Sequence, residues 1–165
     1  MQDDAQSRVI THLQDAYAME ENVLRMLDSM ISTTEDGYTL TLLQNHRAET
    51  VEHANRVEAR LKALGQSTSM TKTAVATAGG MAKSMMDMIR GEKACKNLRD
   101  AFLTEHGEIA GYELLERYAI RANDLETVAL ARQIKAEEKA MARRLNDLWD
   151  RAVALDLGEV EMATR

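Results

Sequence analysis

Glu20 occupies a position where the surrounding pattern calls for an apolar side chain. Spacings of three and four residues mark the core face of a helix there, and its members are Ile10, Leu13, Tyr17, Glu20, Leu24, Leu27 and Ile31. A lone buried charge is costly unless it finds a hydrogen-bonded partner, a proton or a metal ion. The carboxylate of Glu20 is therefore a candidate for chemistry.

Acidic side chains recur on the inward side of three further helical segments. At about 100° per residue, Glu49 and His53 share one face of the second segment. In the third, Glu105 is central to the apolar face and Glu108 lies within reach of it. In the fourth, Glu137 and Glu138 straddle the apolar face equally, so the spacing does not choose between them.

Carboxylates and imidazole at matched heights in a helical bundle are typical of a dinuclear metal site. Two hard or borderline cations need several carboxylates to offset their charge, with imidazole as a neutral ligand. A known solution takes one Glu from each of two helices and a Glu-x-x-His pair from each of the other two. We therefore predict two metal ions per chain, with iron as the first expectation and manganese or zinc as alternatives, since carboxylate sites accept all three.

Ordinary packing is the competing interpretation of each of these residues taken singly. A Glu at one seam position more often reaches out to water. His46 is expected to be a hydrogen-bonded group, either in the core or beside the ligands, rather than a ligand itself. Tyr17 and Tyr112 are expected to pack in the core, with a hydrogen bond to a ligand carboxylate as the alternative. The coincidence of inward acids on all four segments favours the metal site.

The composition indicates an all-α protein that positions these groups. The 165 residues include no proline and are rich in strong helix formers, and one domain, 1–165, is expected. The apolar spacing predicts four helices, over about 4–32, 38–64, 93–121 and 125–155. Gly65 is expected to cap the second helix.

A long connection separates the second and third predicted helices. Residues 66–91 are rich in Ser, Thr, Ala, Gly and Met, with a possible short helix at 81–89. Such a connection would carry the chain along the full bundle, so that the third helix starts at the same end as the second. One long crossover distinguishes ferritin-like four-helix bundles from simple up-down ones.

Charge and cysteine usage argue against several other classes of protein. The formal net charge is -6, and no basic stripe with interleaved aromatics predicts nucleic-acid binding. The single cysteine, Cys95, excludes an internal disulfide and a CxxC zinc motif. No apolar run predicts a membrane span, and the first residues do not resemble a signal peptide, so we expect a cytoplasmic protein.

Four segments together resemble the YciE/YciF-type ferritin-like proteins of bacteria, which are linked to stress responses. The segments are DAYAMEE around Glu20, HRAET around Glu49, EHGEIAGY from Glu105, and AEEKA around Glu138. The resemblance implies a ferritin-like bundle, often a homodimer, with a dinuclear centre. Carried over by position, the metal residues are Glu20, Glu49, Glu105, Glu108 and Glu138, with His53 as a further ligand. Met141 stands where a Glu-x-x-His pair from Glu138 would place its imidazole.

Four functions are compatible with this pattern. The first is a non-haem di-iron protein with ferroxidase-like or peroxide-consuming activity, whose partners are metal ions and O2 or peroxide. The alternative is a stress-related interaction or scaffold protein whose metal is structural or absent. Iron storage would require a large hollow shell, and a substrate-oxidising enzyme would rest on analogy of fold alone.

Overall fold

The computed structural model describes residues 2–68 and 93–159, and the regular elements in these ranges are all α-helices. They are α1 (Gln2–Thr33), α2 (Gly37–Ala63), α3 (Lys93–Ala122), α4 (Leu125–Asn146) and α5 (Trp149–Asp156). The predicted all-α class is confirmed. Nowhere in the described ranges does a helix combine the length and apolarity needed to cross a membrane.

Short polar caps and one glycine set the helix ends. The Asp36 carboxylate accepts from the Thr39 amide at the start of α2, and Asp124 accepts from the Thr127 amide at the start of α4. Such caps satisfy amides that have no partner within the helix. Gly65 follows α2 with a φ of 70°, a conformation that suits glycine, so its predicted capping role is confirmed.

The prediction of one continuous fourth helix over 125–155 is wrong near its end, because the structure has two helices in this range, α4 and α5. The helix is interrupted at Asp147 and Leu148, where the Leu148 amide donates to the Leu145 carbonyl in a tighter turn. The break turns α5 toward the start of α3, so that the Trp149 ring meets Phe102 edge-on at 5.7 Å. The Asp156 carboxylate then accepts from the Ala94 and Cys95 amides. These contacts stabilise a bend at a position where the sequence has neither Pro nor Gly.

Helices α1 and α4 run in one direction, and α2 and α3 run in the other. The end of α1 and the starts of α2 and α3 share one end of the bundle, where Asn97 donates to Thr33 and Arg151 of α5 pairs with Asp36. Helix α2 therefore ends at the opposite end of the bundle from the start of α3, and the predicted crossover, 66–91, would connect the two. The greater part of that crossover, with the predicted helix at 81–89, lies outside the described residues.

A polar layer divides the core into two apolar clusters. One cluster contains Val9, Leu13, Val57, Leu61, Leu115 and Ile134, and the other contains Val23, Leu27, Leu43, Leu98, Met141 and Leu145. On α1 the buried face is centred on Val9, Ala16 and Val23, one residue earlier than the predicted Ile10, Tyr17 and Leu24, which are only half-buried. Glu20 belongs to both patterns and is fully buried, between the two clusters.

Candidate metal centre

Six ionisable side chains from four helices meet in this layer. They are Glu20 of α1, His46 and His53 of α2, Glu105 and Glu108 of α3, and Glu138 of α4, each no more than 1% exposed. His46 and His53 are two helical turns apart, and Glu105 and Glu108 are one turn apart, so each pair projects from a single face. The helices thus direct all six groups into one polar region between the two apolar clusters.

The six side chains form two groups that share one member. His46, Glu105, Glu108 and Glu138 offer ligand atoms that all lie within 4.8 Å of one another, and so do Glu20, His53 and Glu138. Glu138 therefore lies between the two groups. Its position suits a carboxylate that contacts two ions at once.

The contacts within the layer are close but poorly formed as hydrogen bonds. His46 Nε2 lies 2.9 Å from Glu105 Oε1, and His53 Nδ1 lies 2.6 Å from Glu138 Oε1. Neither ring nitrogen has the alignment of a hydrogen bond to its neighbour. In residues 2–68 and 93–159, every buried side-chain nitrogen or oxygen without a hydrogen-bond partner belongs to one of these six residues. Since buried polar atoms are normally paired, this concentration of carboxylate and imidazole donors fits a bound cation.

Burial favours the protonated form of three of the four carboxylates when no metal is present. It raises the pKa of Glu20 to about 7, although His53 and the hydroxyl of Tyr112, which donates to Glu20 Oε1, act in the opposite direction. Burial likewise raises the pKa of Glu105 to about 7 against the effect of His46. The pKa of Glu108 is raised well above its usual range by burial and then by the negative charge of Glu20 and Glu138. A metal ion would therefore displace protons from this layer.

The imidazoles and Glu138 are shifted by their opposite charges. Burial lowers the pKa of His46, but Glu105, Glu138 and Glu49 outweigh it and raise the value to about 9. The pKa of His53 is also raised, because Glu138 and Glu20 outweigh its burial. Burial raises the pKa of Glu138, but the neighbouring His53 makes the net shift downward. The layer is thus a strongly coupled set of charges.

Two predicted acids lie at the outer edge of the layer. The Glu49 side chain is 44% exposed, and its Oε2 lies 3.7 Å from His46 Nδ1, so the structure does not bring Glu49 into either group. The Glu137 side chain is 36% exposed, and its Oε2 lies 2.9 Å from His53 Nε2. Of the two candidates on α4, Glu138 is the one that faces inward.

His46 is the inward group that the sequence did not assign to the site. It was expected to be a hydrogen-bonded core residue, yet both of its ring nitrogens lack a hydrogen-bond partner. Its seven-residue spacing from His53, on the same apolar stripe, is the signal that could have identified it. Met141 is fully buried and packs in one of the apolar clusters, whereas His46 supplies the layer with a second imidazole from α2.

Comparisons with known proteins agree with this fold. The sequence model of a family described as Domain of unknown function (DUF892) matches residues 4–157. A protein of known structure from Xanthomonas campestris pv. campestris is similar, with 28% identity over 94% of this chain and 97% of its own, and a TM-score of 0.77. The E. coli stress protein YciF shares 21% identity over 90% of this chain and 96% of its own, with a TM-score of 0.78.

A third structure is YcfI from Rhodopseudomonas palustris, with 22% identity over 86% of this chain, 92% of its own and a TM-score of 0.72. At the identities of YciF and YcfI, the likeness to their structures shows a shared fold. Together with the family match it confirms the resemblance to the YciF-type proteins. With 4–157 matched out of 165 residues, the chain belongs to the DUF892 family.

Proposed function

We propose that this protein binds two metal ions in the polar layer, with Glu138 shared between them. The observation that carries the proposal is the set of unpaired buried atoms on Glu20, His46, His53, Glu105, Glu108 and Glu138. These residues form two groups with one common member, which is the arrangement that a pair of neighbouring ions requires. Glu49, which the sequence placed among the ligands, lies beside His46 at the edge of the site.

The formal charges of the site support two divalent ions. Four buried glutamates carry four negative charges when ionised, and two divalent cations carry four positive charges, with both imidazoles neutral. Without cations, so many ionised groups would be very unfavourable in a water-poor layer. The apolar clusters on both sides keep water away from the site and so strengthen the attraction between ligands and ions.

Iron is the metal that we propose, in a protein that handles iron and oxidants. A donor set of carboxylates and two imidazoles accepts iron, and it accepts manganese or zinc as well. Bound metal ions would supply Lewis-acid or redox chemistry toward O2 or peroxide. The chain itself binds the ions, balances their charge and positions Glu20 through the hydroxyl of Tyr112.

The similarity to a stress protein supports a role under stress. YciF of E. coli is described as a stress protein, and we extend that role to this chain as part of the proposal. The role predicts that cells lacking the protein are more sensitive to peroxide and iron than cells that contain it. Restoration by the wild-type gene and not by Glu20→Gln/Glu105→Gln would connect the phenotype to the site. Full restoration by that variant would favour the scaffold function instead.

Metal analysis of reconstituted protein tests the proposed site. Protein loaded with ferrous iron without oxygen and then desalted should retain about two ions per chain. The double variant Glu20→Gln/Glu105→Gln should lose most of this metal, because each group loses a charged ligand. A matched control, Glu21→Gln/Glu113→Gln, removes two half-exposed charges from the same helices and should retain it. Wild-type protein that retains no metal would refute the proposal.

A further inference from the structure

The imidazole of His53 is in contact with a carboxylate at each of its ring nitrogens. Nδ1 faces the metal layer, 2.6 Å from Glu138 Oε1 and 3.8 Å from Glu20 Oε2. Nε2 faces away from the layer, 2.9 Å from Glu137 Oε2. The ring is almost fully buried, so these neighbours determine what each nitrogen does.

Glu137 is itself held in place by two donors. Arg56 Nη2 donates to Glu137 Oε2 at 2.5 Å, and Gln133 Nε2 donates to Oε1 at 3.2 Å. Both oxygens of Glu137 thus accept hydrogen bonds, one of them from a guanidinium, so the carboxylate is an acceptor toward its other neighbours as well.

We propose that Glu137 is a positioning residue that fixes the proton of His53 on Nε2 and so presents the lone pair of Nδ1 to the metal. A neutral imidazole carries one N–H and one lone pair. With an acceptor-only neighbour at Nε2, the proton belongs on that nitrogen and Nδ1 is free to bind a cation. Ligand histidines commonly donate their other N–H to a carboxylate in this way.

Helices α2 and α4 both contribute residues that orient the imidazole of His53. Glu137 and Glu138 are adjacent on α4 and point about 100° apart, so that one faces the layer and the other faces α2. Arg56 follows His53 by one turn on α2 and anchors the same carboxylate. Helix α4 thus supplies a ligand and, from the next residue, the group that orients a ligand on α2.

This inference rests on the proposed metal site, and it assigns Glu137 a role that binding stoichiometry alone does not test. The first measurement is the affinity for cobalt(II), which is monitored through the visible absorption of the bound ion. Glu137→Leu should weaken cobalt binding about 10- to 100-fold, the usual effect of losing such a partner. Glu137→Gln keeps an oxygen acceptor and should restore most of the affinity.

The second measurement is a signature of the ring itself. In zinc-loaded wild-type protein, 15N chemical shifts of His53 should show hydrogen on Nε2 and metal on Nδ1. In Glu137→Leu the hydrogen-bonded Nε2 resonance should be lost or shifted, and in Glu137→Gln it should be recovered. If Glu137→Leu does not fold, Glu137→Ala takes its place in both measurements.

Glu113→Leu is the matched control for these variants. The Glu113 side chain is 40% exposed, close to the 36% of Glu137, but its oxygens accept from Arg117 and Lys135. Its removal should change neither cobalt affinity nor the His53 resonances. Cobalt affinity and ring shifts that are the same in Glu137→Leu as in wild type would overturn the role of Glu137 and leave the metal site standing. Wild-type protein that binds neither cobalt nor zinc would overturn both proposals.

Discussion

Glu108, like Glu138, is a member of the polar layer with no hydrogen bond to either of its oxygens. Both oxygens are buried without a hydrogen-bond partner, and burial raises the pKa of the group well above its usual range. Burial therefore favours its protonated form when no metal is present. Its ionised form is favourable only when a cation is present. The residue therefore costs stability in the metal-free protein and contributes to metal binding.

The variant Glu108→Gln should separate the effect of Glu108 on stability from its effect on metal binding. The amide resembles the protonated acid in shape, so the metal-free free energy of unfolding should change by less than about 1 kcal/mol. Metal retention should fall, because one charged ligand is lost. Denaturant unfolding with a chelator, beside metal analysis, measures both effects. A loss of several kcal/mol in the metal-free protein would show that protein partners keep Glu108 ionised.

Tyr112→Phe removes the donor to Glu20. Tyr112 is fully buried, and its hydroxyl donates to Glu20 Oε1, so the change should cost about 1.5–3 kcal/mol in metal-free protein at pH 8, where Glu20 is ionised. The pKa of Glu20 should rise further, because this hydrogen bond lowers it. Tyr17→Phe, at a half-buried tyrosine of α1, is the control and should have little effect. Equal stabilities of the two variants would contradict the assigned hydrogen bond.

Single residues of the layer were predictable from the sequence to different degrees. Glu20 and Glu105 interrupt apolar seams, so their inward direction could be read from spacing alone. The spacing places His46 on the apolar stripe of α2 and Glu49 beside it, yet Glu49 was the predicted ligand because it shares a face with His53 and matches the family resemblance. The structure buries the imidazole and exposes the carboxylate. The helical spacing thus placed His46 inward, but which neighbouring group reaches the layer also depends on side-chain direction and on the packing of the adjacent helix.

The helix ends that the sequence predicted well are those that depend on local contacts. Asp36, Gly65 and Asp124 act through bonds to residues within a few positions of themselves. The break between α4 and α5 depends instead on Trp149 meeting Phe102 and on Asp156 capping α3. Contacts between residues so distant in sequence leave no local signal.

Asp124 provides a test of stability that should leave the site intact. Its carboxylate caps α4 at the Thr127 amide and pairs with Arg60 of α2. Asp124→Ala should cost about 1–2 kcal/mol, as the loss of an N-cap does. Metal retention should be unchanged, because Glu138 lies roughly 20 Å further along the helix at 1.5 Å per residue.

Glu126→Ala is the control for that change. Glu126 also pairs with Arg60, but its side chain is 79% exposed, so the pair should contribute less than about 1 kcal/mol. Chemical denaturation and metal analysis of both variants make the comparison. Loss of metal in Asp124→Ala would show that the start of α4 controls the site, contrary to this account.

The whole molecule should respond to pH in opposite ways with and without metal. The pKa values of Glu20 and Glu105 rise from 4.5 to about 7, and that of His46 rises from 6.5 to about 9. Between about pH 4.5 and 9 the folded metal-free protein therefore binds more protons than the unfolded chain, so its stability falls as the pH rises. Metal binding displaces these protons and strengthens as the pH rises.

Melting temperatures measured with chelator and with metal at pH 5.5, 7 and 8.5 test this response. The difference between the two curves should widen with increasing pH. The pKa values of Asp36 and Glu113 are lowered to about 2 by Arg151 and Lys135, so their contribution to stability is constant over this pH range and is lost only in more acidic solution. Parallel curves would contradict the exchange of protons for metal.

We also expect a homodimer, which light scattering should reveal as twice the mass of one chain. The described surface includes large apolar side chains that a partner copy could cover, among them Leu103 and Leu114 of α3. A dimer is too small to enclose a mineral core, so it would favour iron handling over storage. A large spherical assembly would reverse that conclusion.

Anomalous scattering from crystals of the iron-loaded protein tests the central claim most directly. The account predicts two peaks about 3.5–4 Å apart, one against His46, Glu105 and Glu108, the other against Glu20 and His53, with Glu138 between them. No peak in the layer, or ions bound only to surface carboxylates, would contradict it.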